Sequence, residues 1–471
     1  MRGRAVLLLG MAAAAAVAAC SPLPATPRQL GPGGVFEAAQ PAVVIVETDN
    51  EVTWSVPQPA LTGAKEQQLR DRVVAMVRAG QVANTEAGIG LAEVRLLVQS
   101  PDSWFTRGDR HHQTDPVFAL GTGFFVTEDG YLLTNDHVVQ TAGDDIRQQL
   151  LEGLQRESGD PARLADFRQE ISRNLGVTVG QADAARLFQW TLGVYRGDLR
   201  VESVAPVYRV AFGSMSVGDV RSRGLTARLV AHGEVTPGRD VALLRVPGGP
   251  FVSLALAPDE PAAGAALSVV GYPCRCGDGN GFDSAHVLSP VLTQGTTRAR
   301  VPMAGGWEAL GTDAPIEHGN SGGPVLDDRG QVVGLATFAD AGAAPGPGVP
   351  RSFAVPASVA AELAGRAGVR LAQGQLGRDY AEAVAEEREQ HYRTALPLFQ
   401  RVAAATGGDP GVRRHVDGSQ AAIAAGRDRS PPSLPGGLPL AALSLPAGAA
   451  LLGGGAGLVV LVRRRRRSDV W

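Results

Sequence analysis

The stretch "GTDAPIEHGNSGGPVLDDRGQVVGLAT", residues 311–337, sets one serine inside a cluster of glycines and follows it with two apolar runs. Gly323–Asp327 and Gln331–Phe338 read as strands joined by the turn at Asp328-Arg329-Gly330. Ahead of them, Gly319-Asn320-Ser321-Gly322-Gly323-Pro324 allows a tight turn with unusual backbone angles and leaves the Ser321 hydroxyl uncovered. Such a turn aims backbone N–H groups at one point, and those of Gly319 and Ser321 are the natural donors to a developing oxyanion. An alcohol attacks a carbonyl only if a base takes its proton and a carboxylate holds that base in the right tautomer. The chain must therefore supply a histidine and an acid in suitable settings.

The histidine stands in "TEDGYLLTNDHVVQTAG", residues 127–143, where His137 follows an apolar run ending in Thr134-Asn135-Asp136. The acid stands in "GRDVALLRV", residues 238–246, with Asp240 at the start of an apolar strand, a position from which a carboxylate can face inward. Asp136 is the nearest rival. Neighbours on a strand point to opposite faces, so Asp240 is preferred.

Working outward, residues 40–356 read mostly as short apolar strands bounded by turn residues, the pattern of an all-β barrel or sandwich. Expected strands are Ala42–Glu47, Gly121–Thr127, Tyr131–Asn135, Val207–Phe212, Leu225–Glu234, Val241–Val246 and Ala265–Gly271, besides the two already given. Lys65–Val82 and Asp144–Tyr195 have helical periodicity and read as insertions. Insertions at about 62–100 and 144–195 are therefore expected within a catalytic domain at 36–364. Decoration of the outer barrel wall is the simpler reading, and a lid or docking surface near the cleft is the alternative. Beyond Ala357 the pattern is helical: Ala357–Gly365, Arg378–Ala405 and Gly411–Gly426, with a separate helical segment at 365–428. Ala395 and Phe399 faintly resemble half a tetratricopeptide unit; an ordinary helical hairpin is the simpler reading.

Both ends point to a membrane. A charged start at residues 1–4 and the apolar run Ala5–Ala19 form an expected signal peptide, 1–19, and Val17-Ala18-Ala19-Cys20 resembles a lipobox. After a linker at 429–437, Leu438–Val462 is uncharged and long enough as a helix to span a bilayer. Five arginines, Arg463–Arg467, open a basic tail at 463–471, which the positive-inside rule keeps in the cytoplasm, with everything upstream outside. A cell-wall sorting signal ends similarly but needs a Leu-Pro-x-Thr-Gly element that is missing. The formal net charge of -3 and a single lysine, Lys65, give no sign of nucleic-acid binding. With 60 glycines and 32 prolines in 471 residues, the chain stays below low-complexity composition and should largely fold. Cys274 and Cys276 are expected either to close a small disulfide or to stay reduced, and no metal site is suggested.

The blocks Thr-Asn-Asp-His-Val-Val around His137, Asp-Val-Ala-Leu-Leu-Arg from Asp240 and Gly-Asn-Ser-Gly-Gly-Pro around Ser321 resemble the three signatures of trypsin-like serine proteases, specifically the bacterial HtrA/Deg group. Gly121–Phe125, Gly264–Pro273 and Phe353–Pro356 resemble that group's intermediate landmarks. The resemblance covers residues 40–356. It implies a mainly β fold of two six-stranded antiparallel barrels with the site between them, and endopeptidase activity on protein or peptide substrates without metal or organic cofactor. It assigns His137, Asp240 and Ser321 as the catalytic triad, with Gly319 and Ser321 as the oxyanion hole. The long interval between His137 and Asp240, His318 where the group often has proline, and no evident PDZ domain are departures. Pro315 stands where enzymes cutting after basic residues carry an acid, so cleavage after basic residues is not expected. Ile316, Leu335 and Thr337 would line an apolar substrate pocket. The alternative class is a catalytically silent scaffold or binding protein of the cell envelope built on the same fold.

Overall fold

The computed structural model describes residues 28–274, 285–339 and 352–432. Two closed barrels form its body, as the resemblance implies: β1-β2-β3-β7-β6-β4 in the first and β10-β11-β14-β13-β12-β8 in the second, with every pairing within them antiparallel. The first barrel comprises β1 (Val43–Ala60), β2 (Thr106–Phe125), β3 (Tyr131–Thr134), β4 (Arg200–Phe212), β6 (Leu225–His232) and β7 (Ala242–Arg245). The second comprises β8 (Ala266–Gly271), β10 (Val291–Met303), β11 (Trp307–Thr312), β12 (Pro324–Leu326), β13 (Val332–Ala339) and β14 (Ser352–Pro356). Strands β5 (Met215–Ser216) and β9 (Val287–Leu288) pair as a small separate ribbon.

β1, β2 and β4 run well past the barrel wall. β1 pairs with β2 from Val43↔Phe124 to Ala60↔Thr106 and with β4 out to Ser55↔Arg200. The outer arm alternates, with Val52, Trp54 and Val56 on one face. An apolar face this far from the barrel core needs its own cover. The second insertion supplies it: Ile146, Leu150 and Leu154 of α6 (Gly143–Ser158) and Phe188 and Leu192 of α8 (Gln181–Gly197) pack against Val52, Trp54 and Val56. Between them lies α7 (Pro161–Leu175), capped at its start by Asp160 and closed by left-handed Gly176. The first insertion, at the tip of the β1–β2 hairpin, folds as α2 (Gly63–Arg78), α3 (Glu86–Gln99) and the single turn α4 (Pro101–Trp104).

α1 (Gly31–Ala39) precedes β1, the turn α5 (Asp136–Val139) follows β3, and α9 (Val217–Arg223) follows β5. After β14 come α10 (Ala357–Arg366), α11 (Gln375–Arg388), α12 (Tyr392–Ala405) and α13 (Pro410–Ala424). The helix expected over Arg378–Ala405 is broken, because Gln390 adopts a left-handed φ of 65° and turns α12 back onto α11. Tyr380 and Phe399 then meet edge-to-face at 5.7 Å. This helical region is tied to the first barrel: Leu376 N donates to Glu128 Oε2 at 3.2 Å and Gly374 N to Ser253 Oγ at 2.9 Å.

Among the described residues no helix is long and apolar enough to cross a membrane. The segments read as signal peptide (1–19), lipobox cysteine (Cys20), membrane helix (438–462) and basic tail (463–471) all lie outside the described residues. In the first barrel Phe125 stacks on Phe251 at 4.3 Å and Phe212 at 5.7 Å and is fully buried. Phe125→Ala should therefore cost about 3–5 kcal/mol, read as a shifted midpoint in urea unfolding monitored by circular dichroism.

Candidate active site

β3 and β7 are neighbours in register Thr134↔Ala242, so the residues just after β3 and just before β7 emerge at the same end of the first barrel. Those residues are His137, in the turn α5, and Asp240. Asn135 Nδ2 donates to the Asp240 carbonyl at 2.7 Å and locks the two segments together. The Asp240 carboxylate, fully buried, then accepts from the His137 amide at 3.0 Å and pairs with His137 Nδ1 at 2.7 Å. An ionised carboxylate only accepts, so Nδ1 carries a proton, and in the neutral ring Nε2 is the nitrogen with the lone pair. Burial opposes ionisation of Asp240, but the ring N–H and charge of His137, the Thr337 hydroxyl and the His137 amide outweigh it and hold the carboxyl below the ordinary aspartate range.

Ser321 comes from the second barrel, in the turn between β11 and β12. Its carbonyl accepts from Thr122 N at 2.8 Å, and Thr122 Oγ1 donates to Gly319 O at 2.6 Å. Thr134 Oγ1 in turn donates to Thr122 O at 2.7 Å. Threonines of the first barrel thus brace the serine turn of the second. Gly322, at φ 84°, has no room for a Cβ, which would fall 2.2 Å from Thr122 O. Gly319, at φ 90°, is equally constrained, its Cβ falling 2.3 Å from Tyr272 O.

The His318 carbonyl accepts from Cys274 N at 2.7 Å. The 318–319 peptide is trans, so its N–H points away from Cys274. Gly319 N and Ser321 N have no hydrogen-bond partner among the described residues. Two amides on one turn are therefore available to an incoming oxygen. Cys274 is disulfide-bonded, and the only other cysteines, Cys20 and Cys276, lie outside the described residues.

Thr337 does something other than line an apolar pocket. Its hydroxyl donates to Asp240 Oδ2 while its carbonyl accepts from Ser321 Oγ at 3.0 Å. Thr337 thus bridges acid and serine. Ser321 Oγ makes no hydrogen bond to His137 among the described residues, and both side chains border the same cavity of about 870 Å³. Ile316 packs beside Leu267 and Val325 inside the second barrel, and Leu335 is fully buried; neither lines that cavity. Thr122, Thr134 and Asn135 were not marked out by sequence. Their roles depend on long-range hydrogen bonds that give no local pattern, although all three sit within or beside the motif blocks.

A second acid–imidazole pair adjoins the first. Asp136, nearly fully buried, meets His232 Nδ1 at 3.1 Å. Burial pushes the Asp136 carboxyl up to about 6, with the Asp240 charge adding and His232 and His137 opposing. Because the folded chain keeps this proton to a higher pH than the unfolded chain, stability attributable to Asp136 falls as pH rises from about 4 to about 6. Asp136→Asn should flatten that decline in melting temperature across the same window; an unchanged slope in calorimetry would contradict it.

Residues 121–335 match the family model described as a trypsin-like peptidase domain. A probable periplasmic serine endoprotease, DegP-like, from Pseudomonas putida is 26% identical over 364 residues, covering 75% of this chain and 51% of its own length. The chain spans about half the length of the curated relatives it matches. Among solved structures, the serine endoprotease from Yersinia pestis aligns with 15% identity over 73% of this chain and 67% of its own, at a TM-score of 0.34. A protease from M. tuberculosis in its active form aligns with 17% identity over 74% and 91%, also at 0.34. The chain carries a trypsin-like peptidase domain and is a distant homologue of the DegP-like, HtrA-type serine endoproteases.

Proposed function

We propose that this chain is an exported, membrane-anchored serine endopeptidase. The observation that carries the reading is the hydrogen-bonded series His137–Asp240–Thr337–Ser321 opening onto one cleft. Ser321 swings from the Thr337 carbonyl toward Nε2 of His137, loses its proton there and attacks the scissile carbonyl. Asp240 keeps the imidazole in the required tautomer and stabilises it once charged. The amides of Gly319 and Ser321 receive the oxyanion, and His137 returns the proton to the departing amine. Water then gives a proton to His137 Nε2 as it attacks the acyl carbon, and the imidazole passes that proton to Ser321 Oγ as the ester bond breaks, releasing the acid and restoring the serine. Pro315, standing where enzymes that cut after basic residues carry an acid, supports a preference against a basic residue before the scissile bond.

Anchoring by Leu438–Val462, with Arg463–Arg467 held in the cytoplasm, would place the barrels outside it. The Pseudomonas putida relative is a probable periplasmic endoprotease, which supports that side.

A fluorophosphonate probe should label the wild type and not Ser321→Ala. Hydrolysis of unfolded casein should fall at least about 10⁴-fold in Ser321→Ala and in His137→Ala. Absence of labelling across preparations of folded protein would instead favour the silent scaffold.

A further inference from the structure

The insertion that covers the hairpin arm also faces the cleft. α6 begins at Gly143, soon after His137, and its apolar stripe Ile146, Leu150 and Leu154 packs on the arm. Its other stripe, Asp145, Gln148, Gln149, Glu152 and Gly153, borders the same cavity as His137, Gly319 and Ser321. These spacings of three, four, seven and eight put the five on one helical face. Opposite them runs β2. Residues 116–120 of β2 also border the cavity. β2 pairs with β1 along its length, and among the described residues only Phe124 and Phe125 pair with a further strand, β3, while Thr122 N is taken by Ser321 O and Pro116 has no N–H to offer. An unpartnered strand edge offers main-chain donors and acceptors that an extended peptide can take.

Given the proposed protease reading, on which this step rests, direction follows from chemistry. The imidazole hands its proton to the departing amine, so the residues after the scissile bond lie on the His137 side of the nucleophile. That is the side from which α6 rises. We infer that α6 is a specificity-determining wall of the trough it forms with β2, and that it contacts the extended polypeptide segment that follows the scissile bond. The glutamines on α6 offer both donors and acceptors to the main chain of such a segment.

Gly153 is a sensitive position for the test, since a Cβ there meets nothing nearer than Arg156 Nη2 at 3.9 Å. A side chain at 153 would project into the trough without disturbing the packed stripe. Full-length Gly153→Phe should lose at least about tenfold in kcat/KM on unfolded casein, mainly through KM, whereas fluorophosphonate labelling, which needs nothing beyond the reacting centre, should be unchanged. Casein hydrolysis unaffected by Gly153→Phe would overturn the inference. So would an equal fall in labelling, because α6 would then be acting on the catalytic centre and not on substrate. A photo-crosslinking residue at Gln149 in the Ser321→Ala background should capture casein, and no capture would likewise count against the trough. If the wild type fails to label at all, it is the protease reading that fails, and the crosslink still decides whether the trough binds polypeptide.

Discussion

A carboxylate with no exposed surface, Asp240, is the constraint around which the two barrels are arranged. Removing such a charge from water costs several kcal/mol, and only closely placed donors offset it. Two of its hydrogen bonds come from His137 of the first barrel and one from Thr337 of the second. The barrels must therefore be correctly apposed for the charge to be tolerated. The same apposition brings Ser321 to the cleft, since Thr337 holds the serine hydroxyl through its carbonyl. Stability and chemistry share one set of contacts here.

The extended arm of β1, β2 and β4 follows from a different balance. A strand that leaves a barrel loses the core that covered its inner face, and Val52, Trp54 and Val56 would otherwise meet water. Residues 143–197 fold back over them, so the long insertion between histidine and aspartate is accounted for by burial alone. Once α6 lies there, part of its polar surface, at Asp145, Gln148, Gln149 and Glu152, borders the cleft. A structural demand on one face of a helix sets the chemistry presented by the other.

The barrels, the helical insertions and the main members of the candidate site were legible because each has a short-range signature. Ser321 is framed by glycines whose positive φ is required by the close approach of Thr122 and Tyr272, and a glycine cluster is visible without a structure. Asp240 could be chosen over Asp136 from its position at the mouth of an apolar strand. Strand ends were less legible: β1 was expected to stop at Glu47 and continues to Ala60, because its outer half mixes charged and proline residues that lower β-propensity. β10 and β11 escaped notice for the same reason, "TTRARVP" having no apolar alternation. Thr337 was read as pocket lining because its strand is apolar. Its hydroxyl is explained only by Asp240, 97 residues away in sequence.

Asp136 shows why adjacency in sequence misleads. The expectation that it points away from its neighbour came from strand geometry, yet it opens the helical turn α5. The outcome is similar for another reason: residues 136 and 137 of a helix are about 100° apart, enough to send one carboxylate to His232 and leave the imidazole to Asp240. Two carboxylates this close cannot both shed their protons freely, and the one with fewer donors keeps its proton longer. Asp240 accepts from a ring, an amide and a hydroxyl, whereas the Asp136 carboxyl has His232 alone among the described residues. Hydrogen-bond supply, more than proximity to the histidine, decides which acid carries the charge.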